Sequence, residues 1–286
     1  MAIPTYSRHV VLQTGRSDWA SKIEDEEATF IGHNSSSKKP ANLAKVLKSL
    51  PGKNILITNS NSPEPDRKRN GVYVFPHCVF VPYLNNIQDA HELFVRQFLL
   101  DPKDIPAGKV KLYNEPTKVT VKQSLFYKTI SSRPTLFICS HNTRDSRCGI
   151  LGPLLLEEFD TYIENRLKTL GRMNQGPEPP TRLSMIRMHA KPLIRTALIS
   201  HIGGHAWAGN VIIYFPKTYR RSVEDKGYHP LAGKGIWYGR VEPKHVEGIM
   251  EQTVEGGYVI EELLRGVHHE PHLVVNNGLP PVASEQ

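Results

Sequence analysis

The sequence predicts an α/β fold in two domains, and three observations carry that reading. Short β-rich runs and an amphipathic helix alternate through the first half. The second half runs strand, cysteine loop, helix, strand, histidine loop, strand, strand, helix, which is the order of a thioredoxin-like sandwich, a mixed sheet flanked by helices. Between the halves, from Lys103 to Val119, the apolar pattern weakens. The expected division is residues 1–128, residues 129–266 and a flexible tail over 267–286.

In chain order, Val10 to Leu12, Asn54 to Thr58 and Val72 to Phe75 read as strands. His33 to Asn42 and Asn59 to Gly71 have turn and disorder composition. Ile87, Ala90, Leu93, Phe94 and Phe98 recur at helical spacing, so Ile87 to Leu100 is expected to be an amphipathic helix. Pro134 to Ile138 is a buried strand leading into Cys139. Leu154 to Leu170 carries Leu155, Phe159, Ile163, Leu167 and Leu170 on one face, with Pro153 near its first turn and Gly171 closing it. Leu193 to Ser200, Asn210 to Phe215 and Gly235 to Val241 follow as strands, and Pro243 to Gly256 as a helix. The sequence shows no internal repeat.

Composition narrows the function. Hydrophobic residues are 39% and charged residues 22%, which suits a globular chain with an ordinary core. No stretch approaches the ~20 apolar residues a spanning helix needs. The formal charge of +8 is a mild bias. Its basic residues are scattered, without the stripe and exposed aromatics of a strand-binding surface, so nucleic acid is disfavoured as a partner. Three cysteines in 286 residues do not make an extracellular disulfide framework. Cys78 lies in an apolar run and reads as a small buried hydrophobe. His268, His269 and His272 fall in the expected tail.

Cys139 and Cys148 enclose eight residues, and His201-Ile-Gly-Gly-His205 follows downstream. Each pair begins where a predicted strand ends, so one sheet edge can carry both. Cys148 is placed just ahead of a helix N-terminus, whose dipole favours a thiolate. Arg144 and Arg147 add positive potential. Gly203 and Gly204 allow close backbone approach, and Trp207 is placed to shield the site from water. His141 and His189 are competing imidazoles. These residues point to metal ligation and leave the metal open. Zinc accepts two cysteines and two histidines, although its fingers space cysteines by about two to four residues. A dithiol oxidoreductase using Cys139 and Cys148 would ordinarily show Cys-x-x-Cys.

The Cys-x8-Cys and His-x-Gly-Gly-His elements resemble the sucrase/ferredoxin-like family. Trp237-Tyr238-Gly239, Val241 and Pro243 resemble the family's strand-to-helix stretch. Thr14-Gly15-Arg16-Ser17-Asp18-Trp19 is similar to its fungal branch, the altered inheritance of mitochondria proteins. The resemblance implies a C-terminal thioredoxin-like ferredoxin domain holding a 2Fe–2S cluster on Cys139, Cys148, His201 and His205. If each loop serves one iron, the arrangement is Rieske-like, and neutral imidazoles in place of thiolates make reduction easier. Rieske centres lie at roughly −150 to +300 mV against about −400 mV for plant-type ferredoxins. Proton uptake by imidazole then makes the potential pH-dependent.

The resemblance further implies an electron carrier rather than a substrate-turning enzyme, serving mitochondrial redox or thiol quality control in the matrix or intermembrane space, with the cytosol as alternative. Its expected partners are a redox donor, a redox acceptor and the mitochondrial cluster-assembly machinery. The N-terminal segment reads as folded protein from the first strand, and a longer precursor with a leader is compatible with it. Cytosolic members tend to end in an aromatic residue, and this chain ends Ser284-Glu285-Gln286, which favours the mitochondrion.

Overall fold

The structure is a computed structural model and describes residues 3–25, 44, 47, 54–62, 71–82, 93–99, 127–130, 133–173, 194–220 and 227–269. Side chains of residues 24, 170–173 and 205 lie outside the description. The first half contributes β1 (Arg8–Gln13), β2 (Ile55–Ser60), β3 (Gly71–Phe75), β4 (Val79–Pro82) and β5 (Lys128–Thr129). The second contributes β6 (Thr135–Cys139), α1 (Ser146–Met173), β7 (Arg195–Ile199), β8 (Val211–Tyr214), β9 (Lys234–Tyr238), a helical segment α2 over 243–256, and β10 (Leu264–His269).

All ten strands form one mixed sheet in the order β10-β9-β8-β6-β7-β2-β1-β3-β4-β5. The sheet therefore runs unbroken through the residues assigned to the two predicted domains. Strands β6 and β7 are parallel across α1, while β8 and β9 add antiparallel at the far edge of β6. That unit, closed by α2, is the thioredoxin arrangement and bears out the α/β expectation.

The first half has the same plan. Strand β1 is parallel to β2 and antiparallel to β3, and β4 and β5 follow antiparallel, as β9 and β10 do in the second half. Ala44 and Leu47 are helical between β1 and β2, and residues 93–99 are helical after β4, matching α1 and α2. The two units meet edge to edge where Ser60 of β2 pairs with Ile199 of β7. Hydrogen bonds on either side mirror each other: Asn61 N donates to Leu198 O at 3.2 Å and Ser200 N to Asn59 O at 2.9 Å. Thr14 N to Ser60 O in one unit matches Ser140 N to Ile199 O in the other, at 2.9 and 3.0 Å. The chain is a tandem of two units about a pseudo-two-fold axis, although the sequence shows no repeat.

This seam explains one misreading. Asn59 and Ser60, whose polarity suggests a loop, are fully buried in β2. Ser60 Oγ donates to Leu198 O at 2.8 Å, and Asn59 N donates to Ser200 Oγ at 3.0 Å, so the neighbouring unit satisfies groups that would otherwise need water.

Strand side chains alternate between two cores. Leu136 and Ile138 face the α1 side with Leu155, Phe159 and Ile163, while Phe137 and Cys139 face a second core with Val11, Tyr73, Phe75, Tyr214 and Trp237 drawn from both units. Buried hydrogen bonds also join the halves. Trp237 Nε1 donates to Tyr6 Oη at 2.8 Å, Tyr6 Oη meets Tyr214 Oη at 2.8 Å, and His9 bridges Tyr214 Oη and Thr58 Oγ1 at 3.0 and 2.9 Å.

Three further expectations are corrected. Helix α1 starts at Ser146, eight residues before the expected Leu154, so Pro153 lies inside it and Gly171 does not end it. Val267, His268 and His269 belong to β10 rather than to a flexible tail, because they pair with β9 and His268 stacks on Tyr6 with centroids 4.2 Å apart. Residues 243–256 are a 3₁₀ turn, a short α turn and a π-type segment in succession rather than a regular helix. Cys78 is buried, as expected, in the turn between β3 and β4. Residues 33–42, 87–92, His189 and His272 lie outside the described residues.

Candidate metal centre

Strand β6 ends at Cys139, whose amide donates to Asn210 O at 3.0 Å. The chain then turns through 140–145 into α1. Asp145 caps that helix, accepting from Arg147 N at Oδ1 (3.1 Å) while its carbonyl accepts from Gly149 N (3.1 Å). Cys148 therefore sits in the first turn, within the positive end of the dipole, rather than ahead of the helix. Gly152 allows the close approach: a Cβ there would stand 2.5 Å from Ser140 Cβ and 2.8 Å from Cys139 O. Strand β7 delivers His201 just beyond Ile199.

The Cys139 and Cys148 sulfurs and a His201 ring nitrogen all lie within 4.8 Å of one another. Cys139 Sγ is 3.9 Å from His201 Nδ1. Both cysteines are fully buried and His201 is half-buried, so the group meets solvent on its histidine side. His205 opens a 3₁₀ turn ending at Trp207, and its side chain lies outside the described residues. Gly203 and Gly204 have φ of 87° and 80°, a left-handed backbone that side chains other than glycine resist.

The two thiols are unequal. Cys148 donates to Cys139, and backbone amides of Ile202 and His141 also donate, so the Cys139 thiol is held below its ordinary range despite burial. The hydrogen bond that Cys148 donates to Cys139, together with burial, holds its thiol far above the ordinary range. Of the two, Cys139 is the more readily ionised.

His141 is no ligand. Its Nδ1 accepts from His201 N at 3.1 Å, which leaves the proton on Nε2 to donate to Trp19 O at 2.9 Å. The ring is a strut between the two ligand loops and the first unit. Other struts come from the same N-terminal motif. Asp18 accepts from Thr143 N and Oγ1 at 3.2 and 2.9 Å, and Arg144 donates to Ser21 O at 3.0 Å. Burial opposes ionisation of Asp18, but the Thr143 bonds outweigh it and hold the carboxyl below its usual range. The positive potential expected of Arg147 is largely spent on Asp145, 3.0 Å away. The Arg240 and Arg265 guanidinium carbons lie 4.4 and 5.5 Å from the Trp207 ring centroid.

Among its described residues the first unit holds no such group. Gln13 and Ser62 stand where the second unit has Cys139 and His201, and Gln13 Nε2 donates to Ser62 O at 3.2 Å across the matching loops.

Two buried thiols and an imidazole at the strand ends of a thioredoxin-like unit define a protein able to hold a soft metal or a metal–sulfur group. The chain belongs to the sucrase/ferredoxin-like family, whose profile matches residues 1–266. It is 31% identical over 218 residues to altered inheritance of mitochondria protein 32 of Debaryomyces hansenii, covering 74% of this chain and 65% of that one. It is 27% identical over 256 residues to actin patches distal protein 1 of Saccharomyces cerevisiae, covering 86% and 68%. The chain spans 57 to 65% of the length of the first three relatives, all altered inheritance of mitochondria proteins. A solved thioredoxin-like [2Fe–2S] ferredoxin from Aquifex aeolicus aligns at 14% identity and a TM-score of 0.29, over 50% of this chain and 98% of that one. Among the described residues no helix is long and apolar enough to cross a membrane.

Proposed function

We propose that this protein is a one-electron carrier that holds a 2Fe–2S cluster on Cys139, Cys148, His201 and His205. The observation that carries the reading is the convergence of two buried sulfurs and an imidazole within 4.8 Å, on loops that follow parallel strands. The donor set fits: the sulfurs suit iron, and hydrogen bonds from Cys148 and from backbone amides favour ionisation of Cys139. When bound, the cluster supplies a one-electron couple. The chain's part is to bury the sulfurs from oxygen and water, to hold both ligand loops through His141, and to leave the His201 side open for electron exchange. The relatives' names support a mitochondrial setting, with a donor and an acceptor protein and the mitochondrial assembly machinery as partners.

Thiol exchange is the second reading, since the two sulfurs lie within 4.8 Å of one another. Burial counts against it, because reactive pairs need an exposed sulfur. Purification without oxygen, followed by iron, sulfide and zinc assays and a visible spectrum, tests the proposal. Iron and sulfide in equal amounts, with colour bleached by dithionite, are expected. Stoichiometric zinc, or a metal-free protein forming a reversible Cys139–Cys148 disulfide, overturns it.

A further inference from the structure

Arg265 is buried at 9% exposure beside the metal centre, and its charge finds no carboxylate in any ion pair among the described residues. Its Nη1 donates to Asn210 Oδ1, and Asn210 is the residue whose carbonyl holds the Cys139 amide. Its Nε has no partner among the described residues, and neither does the neighbouring Trp207 Nε1. A buried guanidinium with an orphaned donor is expensive unless an anion or acceptor meets it.

The fold is shaped to put it there. In the β9–β10 pairing Leu264 faces Tyr238 and Gly266 faces Trp237, so Arg265 is the extra residue of a β-bulge, a device that re-aims a side chain. Two glycines form the slot. A Cβ on Gly239 would stand 2.7 Å from Arg265 Cδ, and one on Gly204, between the two histidines, would stand 3.2 Å from Arg265 Nη2. Burial holds the guanidinium below its ordinary range, and the Cys139 sulfur opposes that shift.

We infer that Arg265 is the charge partner of the cluster, a bulge-mounted guanidinium held at Gly204 that favours the reduced form. The inference rests on the cluster reading above. Two ferric ions, two sulfides, two thiolates and two neutral imidazoles sum to a neutral oxidised centre. One electron from an external reductant makes it singly negative, with no bond formed or broken. A nearby fixed cation stabilises that state relative to the oxidised one. Arg265 is thus a positioning and tuning residue rather than a ligand.

The test compares wild-type holoprotein with Arg265→Gln, Arg265→Lys and Arg240→Gln, the last removing an exposed cation that also lies over the Trp207 ring. The reduced-to-oxidised ratio is read by visible absorption at one fixed potential, the wild-type midpoint, with iron content and thermal melting as controls. Arg265→Gln should lower the ratio roughly tenfold, which is about 59 mV for a one-electron couple. Lysine should restore most of it, and Arg240→Gln should change it less than about twofold. If Arg265→Gln does not fold, Asn210→Asp serves, because its carboxylate pairs the guanidinium in the same space and must lower the ratio likewise. A loaded, folded Arg265→Gln protein with a wild-type ratio overturns this inference alone. A wild-type protein that carries no iron–sulfur cluster overturns both this inference and the cluster reading.

Discussion

Replacing Gly152 by alanine tests how the two sulfurs are brought together. In an open helix the change adds up to about 1 kcal/mol of stability, since alanine is the better helix former. Here the new Cβ would stand 2.5 Å from Ser140 Cβ, 2.8 Å from Ser140 Cα and 2.8 Å from Cys139 O. Two of those atoms are backbone, so no side chain can rotate aside, and overpacking of this kind costs about 1 to 3 kcal/mol. The clash wins. The start of α1 must lift from the end of β6, carrying Cys148 away from Cys139. Gly248→Ala is the control, because its Cβ would meet nothing nearer than Ile260 Cδ1 at 3.8 Å. The assay is urea unfolding of metal-free protein together with iron content as purified. Gly152→Ala should lose about 1 kcal/mol and most of its iron, whereas Gly248→Ala should be as stable as wild type or more so. A Gly152→Ala protein with full iron and unchanged stability would refute the reasoning.

Two other outcomes follow from buried or bridging groups. Asp18→Ala removes both bonds to Thr143, so at this exposed site it should cost about 1 kcal/mol and shorten cluster lifetime in air, measured by bleaching of the visible bands. An unchanged lifetime would show that the N-terminal motif does not hold the metal loop. His9 is fully buried and its pKa is pushed down to about 3, chiefly by burial and then by the charge of His268. A depressed histidine stabilises the fold fully above the unfolded value near 6.5, and that stability falls as pH drops from there toward 3. Each unit in that window should cost up to about 1.4 kcal/mol. Unfolding free energies at pH 7 and pH 5 check this, and equal values would mean that His9 is charged or exposed in the native state.

The site was more legible in the sequence than the frame that holds it. The cysteine and histidine spacings pick out Cys139, Cys148 and His201, which the fold brings together, because glycines and strand ends surround them. The strands β1, β3, β6 and β8 announce themselves as apolar runs. What stayed hidden depends on groups distant in sequence. The seam strand β2 ends in Asn59 and Ser60, where Ser200 Oγ takes the Asn59 backbone amide and Leu198 O takes the Ser60 hydroxyl. The first turns of α1 carry Gly149, Gly152 and Pro153, poor helix formers that tertiary contact requires or tolerates there. Arg265 sits on a bulge, which breaks the alternation that marks a strand. The tandem is invisible because its halves share topology and register but not side chains: Gln13 stands where Cys139 does.

Ligation by both sulfur and imidazole is the central claim, and hyperfine spectroscopy of the dithionite-reduced holoprotein reads it directly. A reduced 2Fe–2S signal with strongly coupled nitrogen is expected, with the coupling reduced or altered in His201→Cys. A cluster signal without coupled nitrogen, or coupling that survives unchanged in that variant, would contradict the assignment of His201 as a ligand.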